Sequence, residues 1–542
     1  MFVRFKKSAR TVNPVVQIVE NTRVAGKVRQ KVIASLGTAA SPHDFQQLER
    51  LAHNLLAKLE EERRRQPNLF GADGTAADGN RVATVDDSVK LSDLVHEATI
   101  CDGFATVVDR LLEMAGFWPV IAKAQGRRRR YDVAKILKLI IAQRLLAPAS
   151  KLRTFQRQGD LGFDEIELEH VYRTMDALEG SAESIQRQAF TAAHGGLFKD
   201  PVECFFFDVT TLYFESTVQD ELRDFGFSKD QKHHSVQIVL CLVVNREGMP
   251  LAFETFKGNT GEVTTLLPVM AKIRERFAIE HVTVVCDRAM GSRKNLVQLK
   301  DDHFQYIVAC KLKHLPKMLS LTDLSTYSEL YRNGDDDVVM YRLLDHPKIP
   351  DTHLVVTHST KRAAKDAKDR ERLLDKIKTK MAKKADGHPV KKLISNNGYK
   401  KYVTIKGQGE WQLNDAAIQA AAAWDGFHGL AVSKGSNELN VRETLAQYRG
   451  LWRVEEAFRI AKCTLKTRPI FHWSPHRIRS HVLICFLALF LERQLELLLR
   501  RRNTPLTPDR IRRAIGQIHH IRFRDQKSKR HGKMEATLSS DA

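Results

Sequence analysis

Two aspartates stand where chemistry is expected. Asp208 closes the apolar run Cys204-Phe-Phe-Phe-Asp208, and Asp287 closes His281-Val-Thr-Val-Val-Cys-Asp287. Each reads as a carboxylate at the C-terminal end of a buried strand. Two adjacent carboxylates repel each other unless a cation lies between them. Carboxylate oxygens suit Mg²⁺, which keeps positions open for water and phosphate. A pair of such ions can clamp the attacking and leaving oxygens of a phosphoryl transfer. A third acid is at hand in the segment Tyr448 to Lys462. Tyr448, Glu455 and Lys462 recur every seven residues, so on a continuous helix they share one face about two turns apart. That spacing favours Glu455 over its neighbour Glu456.

The elements that must position these residues follow from the apolar pattern. Cys204 to Thr210, Ser235 to Val244, Pro250 to Phe256, His281 to Asp287 and Phe304 to Cys310 read as strands. Val263 to Phe277 and Ser292 to Leu299 read as helices. The order β-β-β-α-β-α-β is that of an RNase H-like core, an α/β fold built on a mixed sheet. In it the first and fourth strands are central neighbours, so Asp208 and Asp287 lie side by side. A long helix is expected from about Leu439 to Leu465, and another from Pro475 to Arg501.

The rest of the chain divides around this core. Residues 1–65 predict a small β-hairpin and a helix carrying Leu48, Leu51, Leu55 and Leu59, for DNA binding or dimerisation. Residues 66–87 are rich in Gly, Asp and Ala and read as a linker. Residues 88–196 read as a helical DNA-binding region. The core occupies 200–310, a β-rich insertion domain 311–435, its C-terminal helices 436–500, and a basic tail 501–542. The tail is expected to be partly disordered.

Charge names the partner. The chain holds 87 Lys and Arg against 65 Asp and Glu, a net charge of +22 over 542 residues. Between 361 and 401, fifteen Lys and Arg face five acids, and between 501 and 534 eleven face two. So large an excess points to a polyanion, nucleic acid first and an anionic membrane surface second. No membrane partner is expected, because the longest apolar run, Val482 to Leu491, is about half of the ~20 residues a span requires. Seven scattered cysteines without a Cys-x-x-Cys pair give neither a disulfide framework nor a zinc cage. They suit a reduced, cytoplasmic protein, and no secretory signal is expected behind Met1-Phe-Val-Arg-Phe. No P-loop and no Gly-x-Ser-x-Gly occurs, which removes Walker ATPases and serine hydrolases. Asp335-Asp-Asp337 follows Asn333-Gly334 and reads as a solvated turn. The run Arg127 to Arg130 is either a phosphate grip or an exposed helix start.

Four blocks in order carry a family resemblance: the Asp208 block, Phe256-Lys-Gly-Asn-Thr-Gly-Glu262, the Asp287 block, and Tyr448 to Lys462. From about 200 to 480 the chain resembles insertion-sequence transposases of the DDE type, in the group with a Tyr-Arg-Glu-Lys signature and a β-rich insertion. The stretch Val19-Glu-Asn-Thr-Arg-Val-Ala-Gly-Lys-Val-Arg-Gln looks like the start of longer members. The resemblance implies a catalytic, metal-binding triad of Asp208, Asp287 and Glu455. It implies Mg²⁺, with Mn²⁺ as a substitute, and cleavage of double-stranded DNA at terminal inverted repeats followed by strand transfer into target DNA. A homodimer in the synaptic complex and a nucleoid-associated location are implied as well. Tyr448 and Lys462 match positions that hold phosphates. The signature arginine falls on Leu451, with Arg449 and Arg453 as candidates for its role. A flipped base stacks on an aromatic of the insertion in similar members, which makes Trp411 and Trp424 candidates. The rival readings are an RNase H-like nuclease without strand transfer and a transposase-derived DNA-binding protein without activity.

Overall fold

A computed structural model describes residues 2–8, 11–24, 27–38, 45, 48–53, 55–56, 94–127, 129–194, 204–279, 282–334, 337–382, 397–406, 410–435, 438–527 and 531–535. The chain divides into two units. The first comprises Met1–Arg110, Lys135–Val171 and Glu496–Ala542; the second comprises Leu111–Ala134 and Tyr172–Leu495. The expected linker at 66–87, Leu59, and Asp335 and Asp336 lie outside the described residues.

In the first unit, β1 (Phe2–Ser8), β2 (Thr11–Val24) and β3 (Lys27–Thr38) form an antiparallel meander, one strand more than a hairpin. Val16 and Ile18 of β2 pack with Leu48, Leu51 and Leu55, so the leucine stripe is covered within its own chain. A strand, β4 (Leu94–Ile100), precedes the helical region.

The second unit is built on a nine-stranded mixed sheet. Its core strands are β5 (Cys204–Tyr213), β6 (Gln237–Val244), β7 (Pro250–Lys257), β8 (Thr283–Cys286) and β9 (Gln305–Ala309). They stand in the order β9-β8-β5-β6-β7. β6 runs antiparallel to both β5 and β7, while β8 runs parallel to both β5 and β9. This is the RNase H-like arrangement expected from the apolar runs. Every residue of β6 is buried, which requires cover on both faces. The run Val482 to Leu491 supplies part of that cover. It is buried throughout within helix Pro475–Arg501, with Phe486 at 5.2 Å from Phe253 of β7 and Phe490 edge-on to Phe117 at 5.3 Å. At the β7 edge, Gln186 accepts the Phe253 N–H at 3.0 Å and so satisfies a donor that has no strand partner.

The segment 311–435 extends this sheet. β10 (Ser328–Asn333), β11 (Asp337–Asp345), β12 (Thr352–Ser359) and β15 (Phe427–Ser433) continue it beyond β9 in the order β10-β11-β12-β15-β9. The charged helix Thr360–Ala382 follows β12 directly. A two-stranded ribbon, β13 (Val403–Lys406) with β14 (Glu410–Leu413), stands apart from the large sheet.

Two expectations are corrected. The long helix from Leu439 to Leu465 is three pieces: Val441–Arg449, Trp452–Arg459 and a π turn, Ile460–Thr464. The basic tail is not disordered where it is described. It forms helix Pro508–Gln517 and strands β16 (His520–Asp525) and β17 (His531–Glu535), and β16 pairs with β4.

Candidate active site

The parallel pairing of β5 with β8 ends at Phe207 opposite Cys286. Asp208 and Asp287 are the next residues on the two strands, so the topology sets them side by side. β5 itself continues to Tyr213, which places Asp208 in mid-strand rather than at its end. Asp208 Oδ1 accepts the Val209 N–H at 2.7 Å. Asp287 caps the following turn, accepting the Ala289 N–H at 2.8 Å. Burial pushes the Asp208 carboxyl up to about 6. Lys229 and the Val209 N–H pull it down, and Asp287 and Glu262 push it further up. A half-buried carboxylate with two acidic neighbours is a group that a cation would relieve.

Lys229 knits this region together. Its ammonium is 2.8 Å from Glu262 and donates to the Val209 carbonyl at 2.5 Å, while its N–H reaches Thr211 Oγ1 at 3.2 Å. Glu262 opens helix Glu262–Phe277, where a carboxylate also favours the helix dipole.

The third acid arrives by a broken helix. Leu451 N–H bonds to the Tyr448 carbonyl at 3.1 Å, Arg453 N–H to Gly450 at 3.0 Å and Val454 N–H to Leu451 at 3.2 Å. These are three-residue bonds, tighter than α. The π turn from 460 to 464 is looser than α. The constant 3.6-residue period that set Tyr448, Glu455 and Lys462 on one face therefore does not run through the segment. Gly450 explains the first break, because a Cβ there would come within 2.4 Å of the Phe206 ring. The backbone bends where it touches β5, two residues before Asp208.

Glu455 is exposed on Trp452–Arg459. Glu456 is committed elsewhere, to Arg493 and to Arg459 at 3.7 Å. Tyr448 is half-buried, with its ring 5.1 Å from that of His428. Burial, Asp287, Cys286 and Glu455 together push its phenol to about 12. His428, on β15, is pushed down to about 4 by burial, Arg362 and Arg288. The phenol therefore keeps its proton and the imidazole stays neutral at pH 7.

Lys462 is occupied. Its ammonium lies 3.4 Å from Asp230, and Arg468 lies 3.2 Å from the same carboxylate. Burial lowers its affinity for a proton, which Asp230 opposes. Asp230→Ala leaves two cations with little exposure and no counter-charge, and is expected to cost about 3 kcal/mol of stability. Urea unfolding measures this; a loss under about 0.5 kcal/mol would mark an ordinary surface pair.

The candidates for the missing arginine point elsewhere. Arg449 bonds to the Tyr331 hydroxyl and lies over that ring at 5.5 Å. Arg453 lies over Phe206 and Trp452, at 5.9 and 5.2 Å, close to Glu247 in the β6–β7 turn. Leu451 is buried. Trp424 packs beside Phe427 at 6.1 Å in an apolar cluster with Leu312, Leu354 and Val356, and Lys313 lies over it. Trp411 stands in β14 opposite Ile405. Arg129 donates to the Ala124 carbonyl at 2.9 Å, serving the end of helix Trp118–Gln125. The residues missed from sequence are Lys229, Asp230, Arg288, Arg362 and His428. None stands in a spaced motif, and only the fold brings Lys229 to Asp208, Asp230 to Lys462, and His428 and Arg362 to Tyr448.

Among the described residues, no three His, Cys, Asp or Glu side chains converge closely enough to hold a metal. Asp208 and Asp287 nonetheless fit a hard cation: they are oxygen donors, adjacent, and Asp208 is half-buried among like charges.

An RNase H-like mixed sheet with two neighbouring acids on adjacent parallel strands defines the class of the core. Residues 202–491 match the family model described as "Transposase DDE domain". That is more than half of the chain, and the chain belongs to this family. Residues 2–68 match a second model, "IS1634 family transposase, N-terminal domain". It is thus an insertion-sequence DDE transposase, and such domains work with divalent metal ions. No curated protein matches it. Among solved structures, it is similar to a "Cryo-EM structure of piggyBac transposase synaptic complex with hairpin DNA", at 9% identity over 77% of this chain and 78% of that one. The TM-score of 0.37 is too low to inform the site.

Proposed function

We propose that this transposase binds the terminal inverted repeats of its element, cuts the DNA at the ends and joins the freed 3′-OH to target DNA. The observation that carries this reading is the placement of Asp208 beside Asp287, each directly after the paired stretch of two adjacent parallel strands. Asp208 and Asp287 would hold Mg²⁺, for which Mn²⁺ can substitute, and Glu455 would complete the set. When bound, the metal supplies positive charge to the phosphoryl oxygens. The protein's own groups orient the strand. Tyr448, protonated and backed by neutral His428, donates a hydrogen bond to a phosphate oxygen. The guanidiniums of Arg288 and Arg362 balance the backbone charge, and Lys462 would join them by exchanging Asp230 for a phosphate. Arg449, Arg453, Trp411 and Trp424 are held as contacts of the more distant DNA. Two ends must be joined in one reaction, so the working form is a homodimer, acting on nucleoid DNA in the cytoplasm.

The test is an assay on supercoiled plasmid carrying the sequences that flank the gene, with Mg²⁺ or EDTA. Wild type is expected to give Mg²⁺-dependent cuts at the flanks and strand-transfer products. Glu455→Gln is expected to lose both, by about 10²-fold or more, and to retain end binding. Cuts without strand transfer would make the protein a nuclease. Full cleavage by the variant would remove Glu455 from the reaction.

A further inference from the structure

We propose that the outer face of the sheet formed by β4, β16 and β17 is a binding surface for the phosphate backbone of duplex DNA. The proposal rests on the transposition reading and assigns a DNA contact within the first unit.

The two chain ends build this sheet, in the order β17-β16-β4. Its faces differ in kind. On one, Ile521 stands opposite Met534, and Phe523 opposite Gly532. A Cβ on Gly532 would come within 2.2 Å of the Phe523 ring, so the ring lies over the glycine. Met534 packs on the Val16, Ile18, Ala52 and Leu55 cluster. This is the inner, apolar face.

Alternation sends the other residues outward. Arg522 stands directly opposite Lys533, and Arg524 directly opposite His531. All four are exposed. Like charges at facing positions destabilise a sheet, and here they are gathered on one face. Two carboxylates accompany them: Glu97 lies 2.9 Å from His531, and Asp164 lies 3.7 Å from Arg522. The preceding helix, Pro508–Gln517, buries Ile511 and Ala514 and turns Arg510 and Arg513 to solvent. A polyanion would relieve this repulsion without burying any cation.

The face favours duplex over single-stranded DNA. Among the described residues of β16 and β17 the one phenyl ring, Phe523, lies over Gly532 on the inner face and is not offered to an unpaired base. Arginines across a flat sheet suit a phosphate row instead, and interactions of that kind read no sequence.

The full chain is tested by fluorescence anisotropy on two duplexes, one carrying the gene's flanking sequence and one unrelated, over a salt series. The double variant Arg522→Gln/Arg524→Gln is expected to bind both duplexes about 10-fold or more weaker. Its slope of log affinity against log salt should fall by about two, one for each phosphate that is no longer neutralised. Arg522→Lys/Arg524→Lys keeps the charge and should keep most of the slope, which separates this effect from misfolding. An unchanged slope in the Gln variant overturns the inference and leaves the transposition reading standing. A wild type that binds neither duplex overturns both. Charge-dependent binding to phosphatidylserine vesicles in place of DNA overturns the assignment to DNA.

Discussion

Asp208→Asn is expected to abolish DNA cleavage, by about 10³-fold or more, and at the same time to stabilise the metal-free chain. Both effects come from one environment. Burial, with Asp287 and Glu262 nearby, raises the Asp208 carboxyl from 3.8 to about 6. A carboxyl that binds its proton more tightly when folded stabilises the fold fully below its unfolded value. That contribution is lost as pH rises toward 6. Above pH 6 the fold carries the whole penalty of a buried charge, about 3 kcal/mol. Asparagine keeps the shape and removes the charge. Thermal melts in EDTA should show the variant more stable than wild type at pH 8, with the gap closing toward pH 4. Added divalent metal should narrow the gap by stabilising wild type alone. Equal stability at pH 8 would mean that Asp208 carries no buried charge. Retained cleavage would take it out of the reaction. The expected pairing of lost activity with gained stability is the usual signature of a group kept for function.

The core was legible because its strands are short, continuous apolar runs, and a parallel pair covered on both faces leaves no other pattern. Asp208 and Asp287 follow from that order alone. The Tyr448 to Lys462 segment was legible as helical but not in its phase. A three-residue turn at 450 and a π turn at 460 are made by packing, and no local residue preference announces them. Lys229, His428 and Arg362 were invisible for a related reason. Lys229 reaches Asp208 from the β5–β6 loop, while His428 and Arg362 reach Tyr448 from β15 and the helix after β12, through a sheet whose extension beyond β9 no spacing could foretell. The pairing of β4 with β16 joins residues more than 400 positions apart, which apolar periodicity cannot register. The exposed arginines of β16 read as part of a basic, partly disordered tail because alternation in a six-residue strand is too short to read against so many charges.

Gly450→Val is expected to cut cleavage by about 10²-fold while leaving the affinity for DNA unchanged. A side chain at 450 meets the Phe206 ring at a distance no Cβ can hold, and Arg453 and the Gln447 carbonyl stand within 3 Å as well. Phe206 is fully buried in the central strand and cannot withdraw, so the helix must. Glu455 rides on that helix, one turn further on. A displacement of about 1 Å at a catalytic group is enough to account for a loss of this size. Overpacking of this kind also costs about 1–3 kcal/mol. Phe206→Leu should restore part of both losses in the double variant, because it removes the atoms that collide. That rescue distinguishes a misplaced helix from a damaged sheet: a damaged sheet would be made worse by trimming its central phenylalanine. Wild-type cleavage by Gly450→Val would show that Glu455 does not depend on the packing of the helix break against β5.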